Sequence, residues 1–199
     1  MNRMTFVLAA LLSLATVSVH AEEKKNPVVT VETSLGNFDI ELYADKAPET
    51  VKNFLAYTKD KFFDGTVFHR VMDNFMIQGG GFTPDLKQKP TKGTIKNEAD
   101  NGLKNDVGTI AMARLPDPHS ASAEWFINVV DNDFLNHKNK TPNGWGYCVF
   151  GKVINGMDVV FRIKGVKTTT KMGEIQGQKI SMENVPVDTV TIVSVREKK

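Results

Sequence analysis

Short apolar runs, separated by clusters of Gly, Asn, Asp and Pro, recur along most of this chain. Runs of this length match β-strands and are too short for most helices. Their number and their turn-rich connections predict an antiparallel β-barrel or a β-sandwich. The runs are TVFHRV (66–71), FMIQ (75–78), GTIAMA (108–113), EWFINVV (124–130), YCVFGKV (147–153) and VDTVTIVSV (187–195).

A hairpin and a helix are predicted before the first of these runs. VVTVET (28–33) and FDIEL (38–42) flank a turn, and the alternation of apolar residues in FDIEL is typical of a half-buried strand. Asp45 is placed to cap a helix that has Pro48 in its first turn. One face of this helix is apolar and is expected to cover the sheet; it carries Ala47, Val51, Phe54 and Leu55.

A second helix is predicted near the C-terminal end of the chain. GMDVVFRI (156–163) has apolar residues at helical spacing, namely Met157, Val160 and Phe161. Two long polar connections, 82–107 and 131–145, complete the pattern, and connections of this length inside a compact domain usually carry function. The residues therefore predict one mainly β domain with two covering helices.

The first 21 residues resemble a secretory signal peptide. Arg3 precedes an apolar stretch, and Ala21 offers a small residue at the cleavage position. A membrane anchor is the alternative, but the apolar stretch 6–15 is shorter than the roughly 20 residues that a bilayer span needs. Cleavage after Ala21 leaves residues 22–199 as a single exported domain with no membrane segment. Its destination is the periplasm if the source has two membranes.

Composition excludes several classes of function. The net charge is +2 and falls to +1 without Arg3, so no nucleic-acid partner is expected. Cys148 is the one cysteine, which rules out an internal disulfide, and its apolar neighbours predict a buried small hydrophobe rather than a nucleophile. The four histidines are scattered without metal-ligand spacing, so neither a metal nor a hydrolase is predicted. We expect a monomer.

The stretch FHRVMDNFMIQGGGF (68–82) contains an arginine where a packed strand would not normally have one. A solvated loop, on the other hand, would not normally contain Phe75 and Met76. Arg70 is therefore either a compromise in packing or is directed at a ligand. The three glycines at the end of the stretch are expected to form a turn that ends the strand and begins a long loop.

Together with GTIAMAR (108–114), WFINV (125–129) and YCVFGKVINGMDVV (147–160), this stretch resembles the cyclophilin family of peptidyl-prolyl cis-trans isomerases. KNEADNGL (96–103) is similar to exported bacterial members. The resemblance implies a closed eight-stranded antiparallel β-barrel capped by two α-helices. It also implies a rotamase that needs no cofactor and that acts on proline-containing segments of folding proteins.

The chemistry of the reaction suggests roles for the residues that match. Rotation about an X–Pro bond must break amide resonance, over a barrier of about 20 kcal/mol. In the twisted state the prolyl nitrogen regains its lone pair, so a hydrogen-bond donor directed at this nitrogen stabilises that state selectively. The resemblance assigns this donation to Arg70, and it assigns to Gln78 a hydrogen bond with the peptide backbone that also steadies Arg70.

The resemblance also implies a pocket for the proline ring. Its apolar lining is assigned to Phe75, Met76, Phe126 and Leu135, with Phe134 at the rim. Strand alternation alone favours ordinary core for each of these residues, and it is the joint match that favours the pocket. Ala113 and Arg114 match the segment whose backbone pairs with the residues before proline.

Four positions depart from the best-known eukaryotic members of the family. Glu124 replaces glutamine, Phe134 replaces tryptophan, Tyr147 replaces histidine and Arg114 replaces asparagine. The changes at Phe134 and Tyr147 imply weak binding of cyclosporin-class inhibitors. For Glu124, also assigned to substrate binding, the hypothesis is a pairing with Arg70 that competes for the guanidinium. His69 matches a structural position and is not assigned a proton transfer.

Two functions remain open on the sequence alone. The first is an isomerase, and the second is a chaperone-like module that binds proline segments with little turnover. Both would use the same pocket, and the role of Arg70 distinguishes them.

Overall fold

A computed structural model describes residues 25–198 of the chain. The predicted signal peptide and its cleavage position lie outside these residues. The strands are β1 Val28–Thr33, β2 Gly36–Leu42, β3 Thr66–Met72, β4 Met76–Phe82, β5 Thr109–Met112, β6 Trp125–Asn128, β7 Val149–Asn155, β8 Thr168–Ile175, β9 Gln178–Pro186 and β10 Thr191–Glu197. The helices are α1 Pro48–Lys59 and α2 Met157–Lys164, and Ala99–Asn101 and Asp133–Leu135 form short 3₁₀ helices.

Eight of these strands close into an antiparallel barrel in the order β1, β10, β3, β4, β6, β5, β7, β2. The predicted barrel and its two helices are thus confirmed. The barrel closes because β1 pairs with β2 on one side and with the C-terminal strand β10 on the other. Closure leaves no unpaired edge in the barrel. Among residues 25–198, none of the helices has the length and apolar character needed to span a membrane.

Helix α1 covers the barrel through its predicted apolar face. Val51 and Phe54 are buried, and the Phe54 ring lies 6.2 Å from that of Trp125 in an edge-to-face arrangement. The predicted cap at Asp45 is wrong: Ala47 holds the cap position and provides no side-chain hydrogen bond. The carboxylate of Glu98 instead accepts hydrogen bonds from the first backbone amides of the helix. The long connection therefore supplies the cap that the helix lacks locally.

Helix α2 is present where predicted, but its buried face differs from the one expected. Val159, Val160 and Ile163 are buried, whereas Phe161 is 45% exposed. Val159, Val160 and Ile163 form a stripe along one side of the helix, and this stripe packs against the barrel. Phe161 lies outside that stripe because, at about 100° per residue, it is about 200° around the helix from Val159 and about 160° from Ile163.

The three consecutive glycines lie inside β4 and do not form the turn expected from the sequence. A Cβ on Gly79 would lie 3.1 Å from side-chain atoms of Phe68 and Ile192, and one on Gly80 would lie 2.6 Å from the indole nitrogen of Trp125. Gly80 also has φ +86°, in the left-handed region. The glycines are thus needed because neighbouring side chains fill the space beside the strand.

A hairpin of β8 and β9, which the sequence patterns did not predict, lies outside the barrel as a separate two-stranded sheet. Its loop consists of Gln176 and Gly177, with φ 50° and 80°, the signs that a type I′ turn requires. Val185 of this hairpin packs with Val67 and Phe82 of the barrel in a small buried cluster. The hairpin therefore adds a wall beside β3 and β4.

Candidate active site

Three neighbouring strands bring the polar and apolar parts of the predicted site together. Arg70 of β3 pairs with Gln78 of β4, and Gln78 pairs in turn with Phe126 of β6. Met76 lies two residues before Gln78 and so has its side chain on the same face. Residues far apart in the chain are therefore adjacent at one surface of the barrel.

Ten of the eleven predicted site residues line one cavity of about 420 Å³. We call this cavity the proline pocket. It is lined by Arg70, Phe75, Met76, Gln78, Ala113, Arg114, Phe126, Phe134, Leu135 and Tyr147. The structure thus brings these side chains together, although their roles stay predictions. Glu124 is the one member of the predicted set that does not line the pocket.

The proline pocket has a buried floor and an exposed rim. Met76, Phe126 and Leu135 are buried and pack together in a small apolar cluster. Phe134 is 64% exposed, and its ring stacks on that of Phe75 with centroids 5.6 Å apart. This arrangement suits a compact apolar ring that enters from solvent and contacts aromatic and thioether surfaces.

Arg70 is a half-buried side chain at the edge of the proline pocket. Among residues 25–198 it makes no hydrogen bond and no ion pair. The Phe75 ring lies beside it, with its centroid 5.9 Å from the guanidinium carbon. The guanidinium donors are therefore available to a ligand in the pocket.

Arg114, in contrast, is held in place by neighbouring backbone. Its Nε donates to the carbonyl of Gly146 at 3.0 Å, and its Nη1 donates to the carbonyls of Leu115 and Pro116. Its guanidinium carbon also lies 4.6 Å from the ring centroid of Tyr147. Arg114 thus forms a fixed wall of the pocket, because its Nε and Nη1 already donate to the protein backbone and its guanidinium lies against Tyr147.

Glu124 lines a second cavity, of about 390 Å³, which shares Arg70, Gln78, Ala113 and Arg114 with the proline pocket. Its Oε2 accepts a hydrogen bond from Gln78 Nε2 at 2.9 Å and lies 3.2 Å from His69 Nε2. Its Oε1 accepts from Gln88 Nε2 at 3.3 Å. The hypothesis that Glu124 pairs with Arg70 is therefore wrong, since three other donors surround the carboxylate.

The environment of Glu124 favours its ionised form. Burial by itself raises the pKa of this carboxyl group, but the hydrogen bond and charge of His69 oppose the effect, together with hydrogen bonds from Gln78 and Gln88. The balance lowers the pKa of Glu124 below its ordinary value. Glu124 is consequently a negatively charged acceptor at neutral pH.

Sequence reasoning missed several residues around this second cavity. Gln88 lies in the long connection after β4, 36 residues from Glu124, and nothing in its local sequence marks it. Ile175, Met182 and Asn184 come from the unpredicted hairpin. The Gln176-Gly177 pair, preceded by the β-branched run TTT (168–170), was the available signal for that hairpin.

The prediction for Cys148 can also be compared with the structure. Cys148 is buried, as predicted, and burial raises the pKa of its thiol to about 12. Within the part of the chain that the structure describes, no group of three or more His, Cys, Asp or Glu side chains could hold a metal ion.

Comparison with known proteins adds an independent observation. Residues 28–197 match the family described as "Cyclophilin type peptidyl-prolyl cis-trans isomerase/CLD". The chain is 57% identical over 168 residues to peptidyl-prolyl cis-trans isomerase cyp18 of Streptomyces antibioticus, which covers 84% of this chain and 96% of that protein. It is 56% identical over 165 residues to peptidyl-prolyl cis-trans isomerase B of Escherichia coli strain K12, which covers 83% and 99%.

A solved structure has the same fold. The structure of a Cryptosporidium parvum cyclophilin type peptidyl-prolyl cis-trans isomerase, determined in the presence of the dipeptide Ala-Pro, superposes with a TM-score of 0.68. The similarity covers 86% of this chain and 99% of that one at 24% sequence identity. At this identity the superposition supports the barrel fold alone.

Proposed function

This chain belongs to the cyclophilin-type peptidyl-prolyl cis-trans isomerases, and from that premise we propose how and where it isomerises X–Pro bonds. Arg70 donates a hydrogen bond to the prolyl nitrogen of a twisted amide whose ring occupies the proline pocket. The substrates are proline-containing segments of exported proteins. The enzyme class follows from the family, whereas the role of Arg70 and the exported substrates are our proposal.

The single observation that carries this mechanism is the free guanidinium of Arg70 beside an apolar pocket. Within residues 25–198 no carboxylate binds it, so its donors need not be released before a substrate can use them. A planar amide nitrogen is a poor acceptor, whereas the nitrogen of the twisted amide has a localised lone pair. The hydrogen bond therefore forms mainly in the transition state, which is the condition for raising the rate.

The apolar part of the pocket holds the ring while the preceding residue rotates. Phe126, Met76 and Leu135 form a buried floor, so the ring enters a surface that is already packed and needs little rearrangement. The stacked pair of Phe75 and Phe134 closes one side. The proline is thus held on one side of the rotating bond, and only the other side has to move.

Peptide residues before the proline are proposed to lie along Ala113 and Arg114. The backbone amide of Ala113 donates to the carbonyl of Glu124 at 3.0 Å, so this amide is already used within the protein. Pairing with the substrate therefore has to use the other backbone groups of this segment. Binding through backbone groups would tolerate many residues before proline.

Export is proposed from the pattern of residues 1–21 alone. Mass measurement of the protein recovered from outside the cytoplasm would give the mature N-terminus. We expect it to begin at Glu22, and a full-length chain retained in the cytoplasm would contradict export.

NMR exchange spectroscopy on an Ala-Pro tetrapeptide tests the role of Arg70. We expect Arg70→Ala to lower the catalysed exchange rate by about 10²-fold or more, the loss usual for a transition-state donor. Arg70→Lys should restore part of the rate, because it keeps the charge but not the planar fork of donors. Arg162→Ala is the matched control, since Arg162 pairs with Asp158 on the exposed face of α2.

Two outcomes would overturn the mechanism. An Arg70→Ala enzyme within twofold of the wild type would exclude the proposed hydrogen bond. A wild type that binds the peptide, seen as shifted resonances, without accelerating exchange would instead support the binding-module alternative.

A further inference from the structure

We infer that Glu124 is a positioning residue that holds the side-chain amide of Gln78 in one orientation, with its nitrogen on Glu124 and its oxygen left for the proline pocket. The inference rests on the proposed function, in which Gln78 contacts the peptide beside Arg70. It adds a role for a residue that does not itself line the proline pocket.

The orientation follows from the chemistry of the two groups in contact. An ionised carboxylate can only accept hydrogen bonds, whereas a glutamine amide has one end that donates and one that accepts. Glu124 Oε2 lies 2.9 Å from the Gln78 amide, so the end that faces it must be the nitrogen. The reversed amide would place two oxygens in contact with no proton between them.

The carboxylate cannot easily turn away from Gln78, because donors hold both of its oxygens. Gln88 donates to Oε1, and His69 Nε2 lies 3.2 Å from Oε2. His69 can donate from Nε2 both as the Nε2-protonated neutral ring and as the imidazolium, so this contact does not depend on its charge. Three donors therefore converge on one acceptor group.

The backbone beside Glu124 is shaped to admit this side chain. A Cβ on Gly81 would overlap the Cγ, Cδ and Oε1 atoms of Glu124. Glu124 immediately precedes β6, and Gly81 lies near the end of β4, the neighbouring strand. The space that the glycine leaves thus determines where the carboxylate lies.

The consequence for the site is that the Gln78 side-chain oxygen is a fixed hydrogen-bond acceptor beside the free guanidinium of Arg70. With one N–H of its Nε2 donated to Glu124, Gln78 has its oxygen directed away from the carboxylate, and no residue within 25–198 donates to that oxygen. Arg70 is the paired residue on the adjacent strand, with all its donors free. Gln78 can therefore accept at this oxygen from the Arg70 guanidinium or from a peptide N–H, whereas the reversed amide would place its donors there.

A glutamine at position 124 would not impose this orientation. Its own amide could accept from Gln78 or donate to it, so both orientations of Gln78 would be compatible with a hydrogen bond. The carboxylate of Glu124 thus restricts the Gln78 side-chain amide to one orientation.

The first test observes the hydrogen bond directly in the isotope-labelled protein without substrate. We expect a scalar coupling across the hydrogen bond between ¹⁵Nε2 of Gln78 and ¹³Cδ of Glu124. The same coupling should persist in Gln88→Leu, which removes a partner of the other carboxylate oxygen only. A wild type with a protected Gln78 amide but no such coupling would overturn the inference. Because no substrate is present, this result is independent of whether Arg70 acts as proposed.

The second test asks whether Glu124 acts through Gln78. We expect Glu124→Leu to lower kcat/KM about fivefold, the loss usual for one hydrogen bond, and to change it less than twofold in a Gln78→Leu background. Equal losses in both backgrounds would mean that Glu124 acts by another route and would overturn the inference. If Glu124→Leu does not fold, Glu124→Gln replaces it. The side-chain amide of Gln78 should then show two sets of resonances, or it should lose the scalar coupling to the side chain at position 124.

Discussion

Gly81 leaves the space that the side chain of Glu124 occupies. A methyl group on Gly81 would overlap Cγ of Glu124, which is not the free end of a flexible chain but is held between His69, Gln78 and Gln88. The two residues lie 43 positions apart in the sequence and meet only because β4 and β6 are adjacent in the barrel. The glycine at position 81 is therefore required for the Glu124 side chain to occupy this position.

Gly81→Ala is expected to destabilise the protein. The added Cβ forces Glu124 out of its hydrogen bonds, so we expect a loss of about 1–3 kcal/mol in the free energy of unfolding, as for overpacking in a core. Urea denaturation of the two proteins measures this difference. Gly93→Ala is the control, because no atom beyond its two chain neighbours lies within 4 Å of its added Cβ and its φ is not positive. A Gly81→Ala protein as stable as Gly93→Ala would contradict the prediction.

Phe134→Ala is expected to weaken substrate binding without affecting stability. Phe134 is 64% exposed, so its removal should change the free energy of unfolding by less than about 0.5 kcal/mol. Loss of its stacking on Phe75 opens the rim of the proline pocket, and we expect a rise in KM of about threefold to tenfold. Isomerisation kinetics and a thermal melt separate the two effects.

Phe161→Ala provides the comparison for that experiment. Phe161 is a similarly exposed phenylalanine, on α2 and outside the proline pocket. The same KM in the Phe161→Ala and Phe134→Ala proteins would show that the rim does not contribute to binding.

Cys148 is expected to be inert toward thiol reagents in the native protein. Burial raises the pKa of its thiol to about 12, so the reactive thiolate is almost absent at pH 8. Its Sγ is also enclosed, 3.5 Å from Oγ1 of Thr50. Labelling with a chromogenic disulfide should therefore be slow in buffer and complete within minutes in denaturant. Rapid stoichiometric labelling of the folded protein would show that this part of the core opens.

Asp39 is expected to contribute stability that depends on pH. Burial raises the pKa of this carboxyl group, but hydrogen bonds from Lys198, Thr30 and Asn155 outweigh burial and lower the pKa below its ordinary value of 3.8. The ionised form therefore stabilises the folded state fully above pH 3.8, and this contribution is lost as the pH falls below 3.8 through the lower folded value.

Asp39→Asn tests this dependence. We expect the variant to be less stable at pH 7 by about 1–2 kcal/mol, the usual contribution of hydrogen bonds to a charged group, with a smaller difference in acid. Denaturation at several pH values measures both quantities. Asp188→Asn is the control, since Asp188 is exposed and makes no hydrogen bond or ion pair with residues 25–198. A difference between wild type and Asp39→Asn that is constant with pH would contradict the assignment.

Much of the fold could be predicted from local patterns. The apolar runs around Arg70, Ile110 and Phe126 became β3, β5 and β6, because a short apolar run bounded by turn residues is a pattern that is visible over a few residues. Helix α1 was recognisable for the same reason. Its cap was not, because the acceptor is Glu98, 48 residues from the Thr50 amide it binds.

The candidate site was predictable as a set of residues but not as a set of contacts. The motifs that contain Arg70, Phe75 and Phe126 identified ten side chains that the structure places around one cavity. The partner of Glu124 was predicted wrongly. A carboxylate can bind any donor within reach, and the sequence shows which donors exist but not which ones are near.

The sequence by itself determined the strands of the barrel, the two helices and the chemical types gathered at the site, because these depend on local apolar patterns and on residue identity. Only the tertiary structure decided that Glu124 binds Gln78, His69 and Gln88, that Arg70 stays free, and that three glycines lie inside a strand. The physical reason is that hydrogen bonds and close packing depend on distances of a few ångströms. Such distances between residues tens of positions apart are set by the closure of the barrel.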